Sequence, residues 1–134
     1  MSSNKITSVF SVQTINLMKT LSKRFPNDKD IQLGLSALEK LKMINKKKII
    51  EIFVLYCYKF REDVMNKNQN FFLNRDFISE DLAEGSDKEY GMQLMVNLKK
   101  HWSELDENEK ESIWKYLQVL MTLSDKHIAQ SLNK

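Results

Sequence analysis

The sequence contains very little glycine and proline, and this scarcity excludes several classes of fold. Only three Gly and one Pro occur in 134 residues. Sheets and phosphate-binding loops need turns rich in glycine, so the composition favours long helices joined by few connections. Gly34, Gly85 and Gly91 also lie too far apart, or between the wrong neighbours, to form a glycine-rich phosphate loop.

Cysteine and long apolar runs are equally scarce. Cys57 is the only cysteine, which excludes an intrachain disulfide and a multi-cysteine metal site and fits a reducing compartment. The longest apolar run, Ile52 to Tyr58, covers seven residues, whereas about 20 are needed to span a bilayer. Residues 1–10 lack the charged start and apolar run of a signal peptide. We therefore expect a soluble, intracellular protein with no membrane partner.

The length suits one domain covering residues 1–134 and is too short for two comfortable ones. Seven Phe, four Tyr, two Trp and seven Met supply bulky material for a core. The net charge is +3, but residues 1–60 carry eleven Lys or Arg against four Asp or Glu, and residues 61–134 carry ten against fourteen. Such asymmetry fits either an interaction face or head-to-tail packing.

Two helices are predicted in the first third of the chain. The first covers about Thr7 to Arg24 and ends at Phe25-Pro26, because proline disfavours helical geometry in the residue before it. Asn27 or Asp28 can cap the second. In both helices a stripe of residues, apolar except for Thr14, recurs at helical spacing: Phe10, Thr14, Leu17, Met18, Leu21 and Phe25 in the first, and Ile31, Leu35, Leu38 and Leu41 in the second.

A third helix is predicted from about Asn45 to Met65. Its segment 49–60 is apolar on nearly every side and rich in β-branched and aromatic residues, so a strand is a real alternative. The charged ends at 46–48 and 61–63 extend the segment to helical length, and no second strand-like run exists to pair with it. An all-round apolar helix is expected at the centre of the fold.

Residues 66–86 are predicted to form a long irregular loop, with a short helical turn over Ser79 to Glu84. Phe71, Phe72 and Leu73 stand in the middle of asparagine-rich sequence. Long loops in small domains are often functional, so this triplet is a candidate partner-binding site, since exposed aromatic residues mark protein interfaces. The alternative is a loop anchored to the core by its aromatic side chains.

Two helices are predicted to close the chain. Ser86 and Glu89 have the spacing of a capping box for the fourth helix, which carries Leu94, Leu98 and Trp102. Asp106 is the predicted cap of the fifth. The fifth helix has a regular stripe that is apolar except for Ser124: Ile113, Trp114, Leu117, Leu120, Met121, Ser124 and Ile128.

Lysines crowd the connection between the second and third helices. Lys40, Lys42, Lys46, Lys47 and Lys48 fall within nine residues. Such a cluster is a candidate nucleic-acid-binding site, because contact with phosphates begins with positive charge. No base-reading motif accompanies it, and the alternatives are a solvated turn between helices and docking onto an acidic protein surface.

Catalytic and metal-binding residues cannot be assembled from the remaining sequence. His101 and His127 are isolated, and a zinc site needs several converging ligands. Cys57 lies in apolar sequence, where a thiol is usually inert. An acidic run can chelate a hard cation or form a solvated loop, and its spacing is not that of an EF-hand: Asp76, Glu80, Asp81, Glu84, Asp87 and Glu89. We expect no cofactor, no metal and no enzymatic activity.

Two stretches of the sequence carry a resemblance to a known group of proteins. They are residues 66–77, which read NKNQNFFLNRDF, and residues 113–120, which read IWKYLQVL. Together they resemble small helical proteins of unassigned function encoded by large DNA viruses of amoebae and algae. The resemblance implies a viral source, with the host cytoplasm or the virion as location, and supplies no catalytic residues.

These observations predict an all-α protein: a compact bundle of about five helices, with a long loop between the third and fourth and the last two forming a hairpin against the third. The predicted function is a non-enzymatic protein-binding or assembly role through another protein or through self-association, in a viral particle or virus-encoded complex. The alternative is a nucleic-acid-associated accessory protein that uses the lysines between Lys40 and Lys48.

Overall fold

The computed structural model describes residues 2–74 and 86–132, with the side chains in these ranges except at 72, 73 and 86–92. The described chain is helical, and no strand occurs in it. The α-helices are α1 (Ser3–Arg24), α2 (Lys29–Asn45), α3 (Lys47–Cys57), α4 (Arg61–Met65), α5 (Gln69–Asn74), α6 (Ser86–His101) and α7 (Glu107–Leu132). Short 3-10 helices cover Tyr58–Phe60 and Trp102–Glu104. The all-α prediction is confirmed.

The first connection follows the local signals in the sequence. Helix α1 ends before Pro26, where the N–H of Phe25 still donates to the carbonyl of Leu21 at 2.8 Å. Asp28 then caps α2, and its carboxylate accepts hydrogen bonds from the N–H groups of Asp30 and Ile31 at 2.9 and 3.3 Å. These are donors that a helix start leaves without intrahelical partners.

The predicted third helix is one nearly continuous helical run that changes pitch. Helix α3 passes into α4 through the 3-10 turn Tyr58–Phe60. The run ends at Lys67, whose φ of 52° lies in the left-handed region. There the N–H of Lys67 donates to the carbonyl of Val64 at 3.1 Å, and the N–H of Asn68 to that of Asp63 at 2.8 Å. This is the Schellman pattern, which satisfies carbonyls at a helix end.

The structure corrects two expectations about the second half of the chain. Residues 69–74 form helix α5 and not irregular loop, whereas the predicted turn over 79–84 lies outside the described residues. The last two helices also do not form a hairpin against α3. Helix α6 packs on α3, but α7 packs mainly on α1 and α4. The position of α3 between α1, α2 and α6 agrees with the central place predicted for it.

The core is continuous across these helices. Phe10 of α1 meets Phe53 of α3 with ring centroids 5.2 Å apart, and Trp102 meets Trp114 of α7 at 5.1 Å. The predicted cap of α7 is confirmed as a reciprocal capping box: the N–H of Glu109 donates to the Asp106 carboxylate at 2.7 Å, and the N–H of Asp106 donates to the Glu109 carboxylate at 3.0 Å.

A polar cluster ties α7 to the run that follows α3. The Asp125 carboxylate accepts hydrogen bonds from Arg61 at 3.0 Å and from the Tyr58 hydroxyl. The hydrogen bonds from Arg61 lower the pKa of Asp125, and the hydrogen bond to Asp125 raises the pKa of Tyr58. Tyr58 and Arg61 are thus both paired with the Asp125 carboxylate, which indicates a structural role for the cluster.

Candidate functional site

Helix α2 is amphipathic in sequence but poorly covered by the fold. Among its residues only Ile31 is fully buried. Leu35, Leu38 and Leu41 complete the predicted stripe, yet they are only half-buried against the core. A helix normally gains most of its stability from burying its apolar side against tertiary neighbours. The incomplete burial of α2 therefore makes this helix a candidate binding surface.

Three further apolar side chains of α2 point to solvent, of which Met43, at 87% exposed, lies off the side that the other two share. Leu33 is 68% exposed and Ile44 is 82% exposed. They are eleven residues apart, about three helical turns, so both lie on the same side of the helix. Ala37 and Lys40 fall between them on that side. We refer to Leu33, Ala37, Lys40 and Ile44 as the α2 face.

An apolar cavity of about 420 Å³ opens beside the α2 face. Leu33 and Ala37 border it, so the cavity and the face are continuous. Its described walls come from four helices: Phe10, Thr14 and Met18 of α1, Asp30, Leu33, Gly34, Ala37, Leu38 and Leu41 of α2, Ile49, Ile52 and Phe53 of α3, and Gln93 and Leu94 of α6. Concave sites of this size, mainly apolar with a few polar groups, are typical binding pockets.

A substitution at Gly34 tests how tightly the cavity wall is packed. A Cβ added at Gly34 would lie 3.1 Å from the Cε methyl group of Met18. The methyl is the end of a flexible side chain that itself borders the cavity, so it has space to move. Inside a helix alanine is favoured over glycine by roughly 0.8–1.0 kcal/mol. We therefore expect Gly34→Ala to raise the free energy of unfolding by about 0.5–1 kcal/mol in urea titrations.

The opposite substitution on the same helix serves as the control. Ala37→Gly is expected to lower the free energy of unfolding by about 1 kcal/mol, since it reverses the propensity difference. A Gly34→Ala protein less stable than the parent would mean that Met18 cannot shift and that the wall is already closely packed.

The structure places the five predicted lysines at the α2–α3 corner. Lys40, Lys42, Lys46 and Lys47 are exposed and Lys48 is half-buried. The amine of Lys46 donates to the Ser8 hydroxyl at 2.6 Å. Lys40, Lys42 and Lys47 form no ion pair within residues 2–74 and 86–132. No Asp or Glu occurs between Lys40 and Ile50, although Glu39 and Glu51 flank this stretch, so positive charge predominates at the corner.

The structure describes one of the three side chains of the predicted aromatic site at 71–73, and that side chain is buried. Phe71 is buried, and its ring lies 4.7 Å from that of Phe60. The anchored alternative therefore holds for Phe71, whose ring is not available to a partner. The side chains of Phe72 and Leu73 are outside the described set, so a partner contact there stays a prediction.

His101 belongs to a buried polar cluster that the sequence did not reveal. Its ring stacks on Phe25, with centroids 3.8 Å apart and planes at 15°. Its Nε2 lies 2.5 Å from the Asp28 carboxylate and its Nδ1 lies 2.8 Å from that of Glu104. Lys100 reaches the same Asp28 oxygen at 3.0 Å. Side chains from the starts and ends of three helices thus meet at one point.

The role of this cluster is to stabilise the fold. Burial alone would raise the pKa of Asp28, but hydrogen bonds from His101, Lys100 and the Ile31 N–H lower it to about 2. Both ring nitrogens of His101 already face carboxylates, so the ring has no nitrogen left to act on a substrate. The carboxylate holds the start of α2 against the end of α6.

The other reactive residues are not brought together in the described chain. Burial raises the pKa of the Cys57 thiol to about 12, which keeps it protonated and unreactive. No group of three or more His, Cys, Asp or Glu within residues 2–74 and 86–132 could hold a metal ion. The side chains of the acidic run from Asp76 to Glu89 lie outside that set, so its prediction has no test here.

No helix in the described chain is long and apolar enough to cross a membrane. Comparison with protein-family models, with curated proteins and with solved structures finds no match to this chain. The α2 face and its cavity are therefore the features from which a function can be argued.

Proposed function

We propose that this chain is a non-enzymatic protein-binding or assembly protein that binds its partner on the α2 face. The observation that carries the proposal is the poor coverage of α2, which buries only Ile31 and leaves Leu33 and Ile44 largely in water. Covering an exposed Leu or Ile side chain fully is worth roughly 1.5–3 kcal/mol. A partner that covers both therefore gains substantial binding energy.

Isolated exposed leucines are common on protein surfaces and need no explanation. The α2 face differs because its two exposed side chains share one side of a helix, with the small Ala37 between them, and because an apolar cavity opens at its edge. Apolar anchors that fit into pockets at the centre of an interface usually dominate its binding energy. The face thus has the parts that a protein interface needs.

The α2–α3 corner supports a second proposal, a nucleic-acid-associated accessory role. Lys40, Lys42 and Lys47 project exposed amines, and the corner has no carboxylate between Lys40 and Ile50. Phosphate contacts depend on such charges. Leu33 and Ile44 have no part in this role, which makes them the discriminating residues. We propose a viral particle or virus-encoded complex as the setting of either role because residues 66–77 and 113–120 resemble small helical proteins of large DNA viruses.

Replacing Leu33 and Ile44 together by serine tests the protein-binding proposal. Both side chains are exposed, so the melting temperature should stay close to that of the parent, because such surface changes are usually worth less than 0.5 kcal/mol. Self-association in analytical ultracentrifugation, or capture of a partner by the tagged chain, should be lost. The matched control is Leu132→Ser at the end of α7, where the side chain is 80% exposed.

Two outcomes would count against the proposal. Partner capture and self-association that are identical in the parent, the double variant and Leu132→Ser would show that the α2 face is not an interface. Salt-dependent binding to a DNA duplex or RNA hairpin that survives in the double variant, but is lost when Lys40, Lys42 and Lys47 become alanine, would favour the nucleic-acid role.

A further inference from the structure

We infer that the partner of the α2 face is an acidic amphipathic helix, with apolar side chains that cover Leu33 and Ile44 and carboxylates that meet the lysines of the α2–α3 corner. This inference rests on the proposed function and names the chemistry of the partner. Helices that lay an apolar side into a groove are a recurring mode of protein recognition.

The apolar part of the inference follows from the spacing on α2. Leu33 and Ile44 are separated by eleven residues, which corresponds to about 16 Å along the helix axis. Ala37 is small and borders the cavity between them. A partner helix of about three turns can therefore contact both exposed side chains and place a third apolar side chain over Ala37, at the cavity mouth.

The charged part follows from the lysines at the C-terminal end of α2 and the start of α3. Lys40 belongs to the α2 face, and Lys47 opens α3 shortly after α2 ends at Asn45. Neither has an ion-pair partner in the described ranges, and the stretch 40–50 itself carries five lysines and no carboxylate, although Glu39 and Glu51 flank it. At the other end of the cavity, Asp30 lies 3.8 Å from the amine of Lys100. Positive charge is thus concentrated at one end of the face.

A mixed apolar and basic surface discriminates between partners. A basic helix would be repelled at the corner, and an uncharged apolar helix would leave the lysines unpaired at the rim. Nucleic acid would pair with the lysines but would leave Leu33 and Ile44 in water. Electrostatic complementarity of this kind mainly sets specificity and the rate of association. An acidic amphipathic helix satisfies both halves of the surface.

Selection of binders from an unbiased peptide library on the immobilised 134-residue chain provides the test. Enriched peptides should carry net negative charge and apolar residues at helical spacing. In fluorescence-anisotropy titrations, the variant with Leu33→Ser and Ile44→Ser should bind them about tenfold more weakly or worse, which corresponds to 1.4 kcal/mol or more. Circular dichroism of each peptide on binding should show a gain of helix.

Reversing the charge of two lysines tests whether carboxylates of the partner helix meet the α2–α3 corner. Lys40→Glu with Lys47→Glu should weaken binding of the selected peptides by roughly five- to tenfold, since each rim pair contributes modestly and is replaced by repulsion. Affinity should return when the facing Glu residues of the peptide are changed to Lys. The matched control reverses Lys115 and Lys126, two exposed lysines of α7, and should change affinity by less than about twofold.

Filling the cavity tests whether the central apolar side chain of the partner helix enters it. Gly34→Leu adds a side chain that extends towards Met18 inside the cavity wall. It should weaken peptide binding by about tenfold while the fold, checked by circular dichroism, is retained. Unchanged affinity in a folded Gly34→Leu protein would overturn the insertion of a partner side chain at this cavity.

The outcomes separate this inference from the proposed function. Enrichment of basic or uncharged peptides that still need Leu33 and Ile44 would overturn the acidic partner and leave protein binding on the α2 face intact. Self-association that is lost in the Leu33 and Ile44 variant would assign the face to a second copy of the chain. Failure to enrich any peptide, with DNA binding that depends only on the lysines, would overturn both.

Discussion

Replacing Trp114 by alanine is expected to lower the free energy of unfolding by about 3–5 kcal/mol, the usual cost of removing a large aromatic side chain from a core. Trp114 is buried, and its ring meets the edge of Trp102 at 5.1 Å with the planes at 70°. The Trp102 indole N–H donates in turn to the Gln69 side chain at 3.0 Å. Loss of Trp114 therefore opens a void where α5, α7 and the 3-10 turn after α6 meet.

Chemical denaturation followed by circular dichroism measures this loss. Lys115→Ala is the control, because Lys115 is the exposed neighbour on the same helix and alanine suits a helix well. Its unfolding free energy should change by less than 0.5 kcal/mol. A double-mutant cycle with Trp102→Ala should give a coupling of roughly 0.5–1.5 kcal/mol from the ring contact. If Trp114→Ala lost less than about 1 kcal/mol, the tryptophan pair would not be part of the core.

The helical elements could be predicted because their signals are local. The stop at Phe25-Pro26, the cap at Asp28 and the capping box of Asp106 and Glu109 each depend on residues within a few positions of one another. A local pattern needs no knowledge of tertiary contacts, which is why these predictions are confirmed. Helix α5 was missed because Asn-rich sequence around Phe71 carries turn signals that the packing of Phe71 on Phe60 overrides.

The α2 face could not be predicted because burial is decided by other helices. The stripe of Ile31, Leu35, Leu38 and Leu41 correctly marks the inward side of α2, but periodicity does not say how completely α1, α3 and α6 cover it. Leu33 and Ile44 offered one signal, since both stand outside that stripe and lie three turns apart on a common side.

The contacts of His101 could not be predicted from the sequence for a related reason. Asp28 and His101 are 73 residues apart and meet only because α6 ends beside the start of α2. A lone histidine next to a tryptophan gives no hint of a distant carboxylate. The cap at Asp28 was predictable, whereas its second use as the acceptor for His101 and Lys100 was not.

Asp28 therefore has two separable contributions to stability. As a helix cap it accepts the N–H groups of Asp30 and Ile31, a role worth about 1 kcal/mol. As a charge it is held by His101 and Lys100, which with the Ile31 N–H lower its pKa from 3.8 to about 2 despite burial. A shift of this size in a side chain that is 6% exposed corresponds to about 2 kcal/mol near neutral pH.

Two substitutions distinguish these contributions. Asp28→Asn keeps a good capping side chain and removes the charge, so it should lower the free energy of unfolding by about 2 kcal/mol near neutral pH. Asp28→Ala removes both and should cost about 2–3 kcal/mol, because the hydrogen bond from the Ile31 N–H belongs to both contributions. The surface control is Asp30→Asn, since the Asp30 carboxylate is mostly exposed and only 3.8 Å from Lys100, and exposed pairs contribute at most about 1 kcal/mol.

The pH dependence gives the charge contribution its own signature. The pKa of Asp28 is lower in the folded chain than its ordinary value of 3.8, so the unfolded chain binds the proton more readily in acid. The contribution is therefore complete above pH 3.8 and is lost as the pH falls towards 2. Denaturant titrations of the parent and Asp28→Asn should differ by about 2 kcal/mol near neutral pH and converge in that acidic window. Equal stability of the parent and Asp28→Asn near neutral pH would show that Asp28 acts only as a neutral cap and that its pairing with His101 and Lys100 adds nothing to stability.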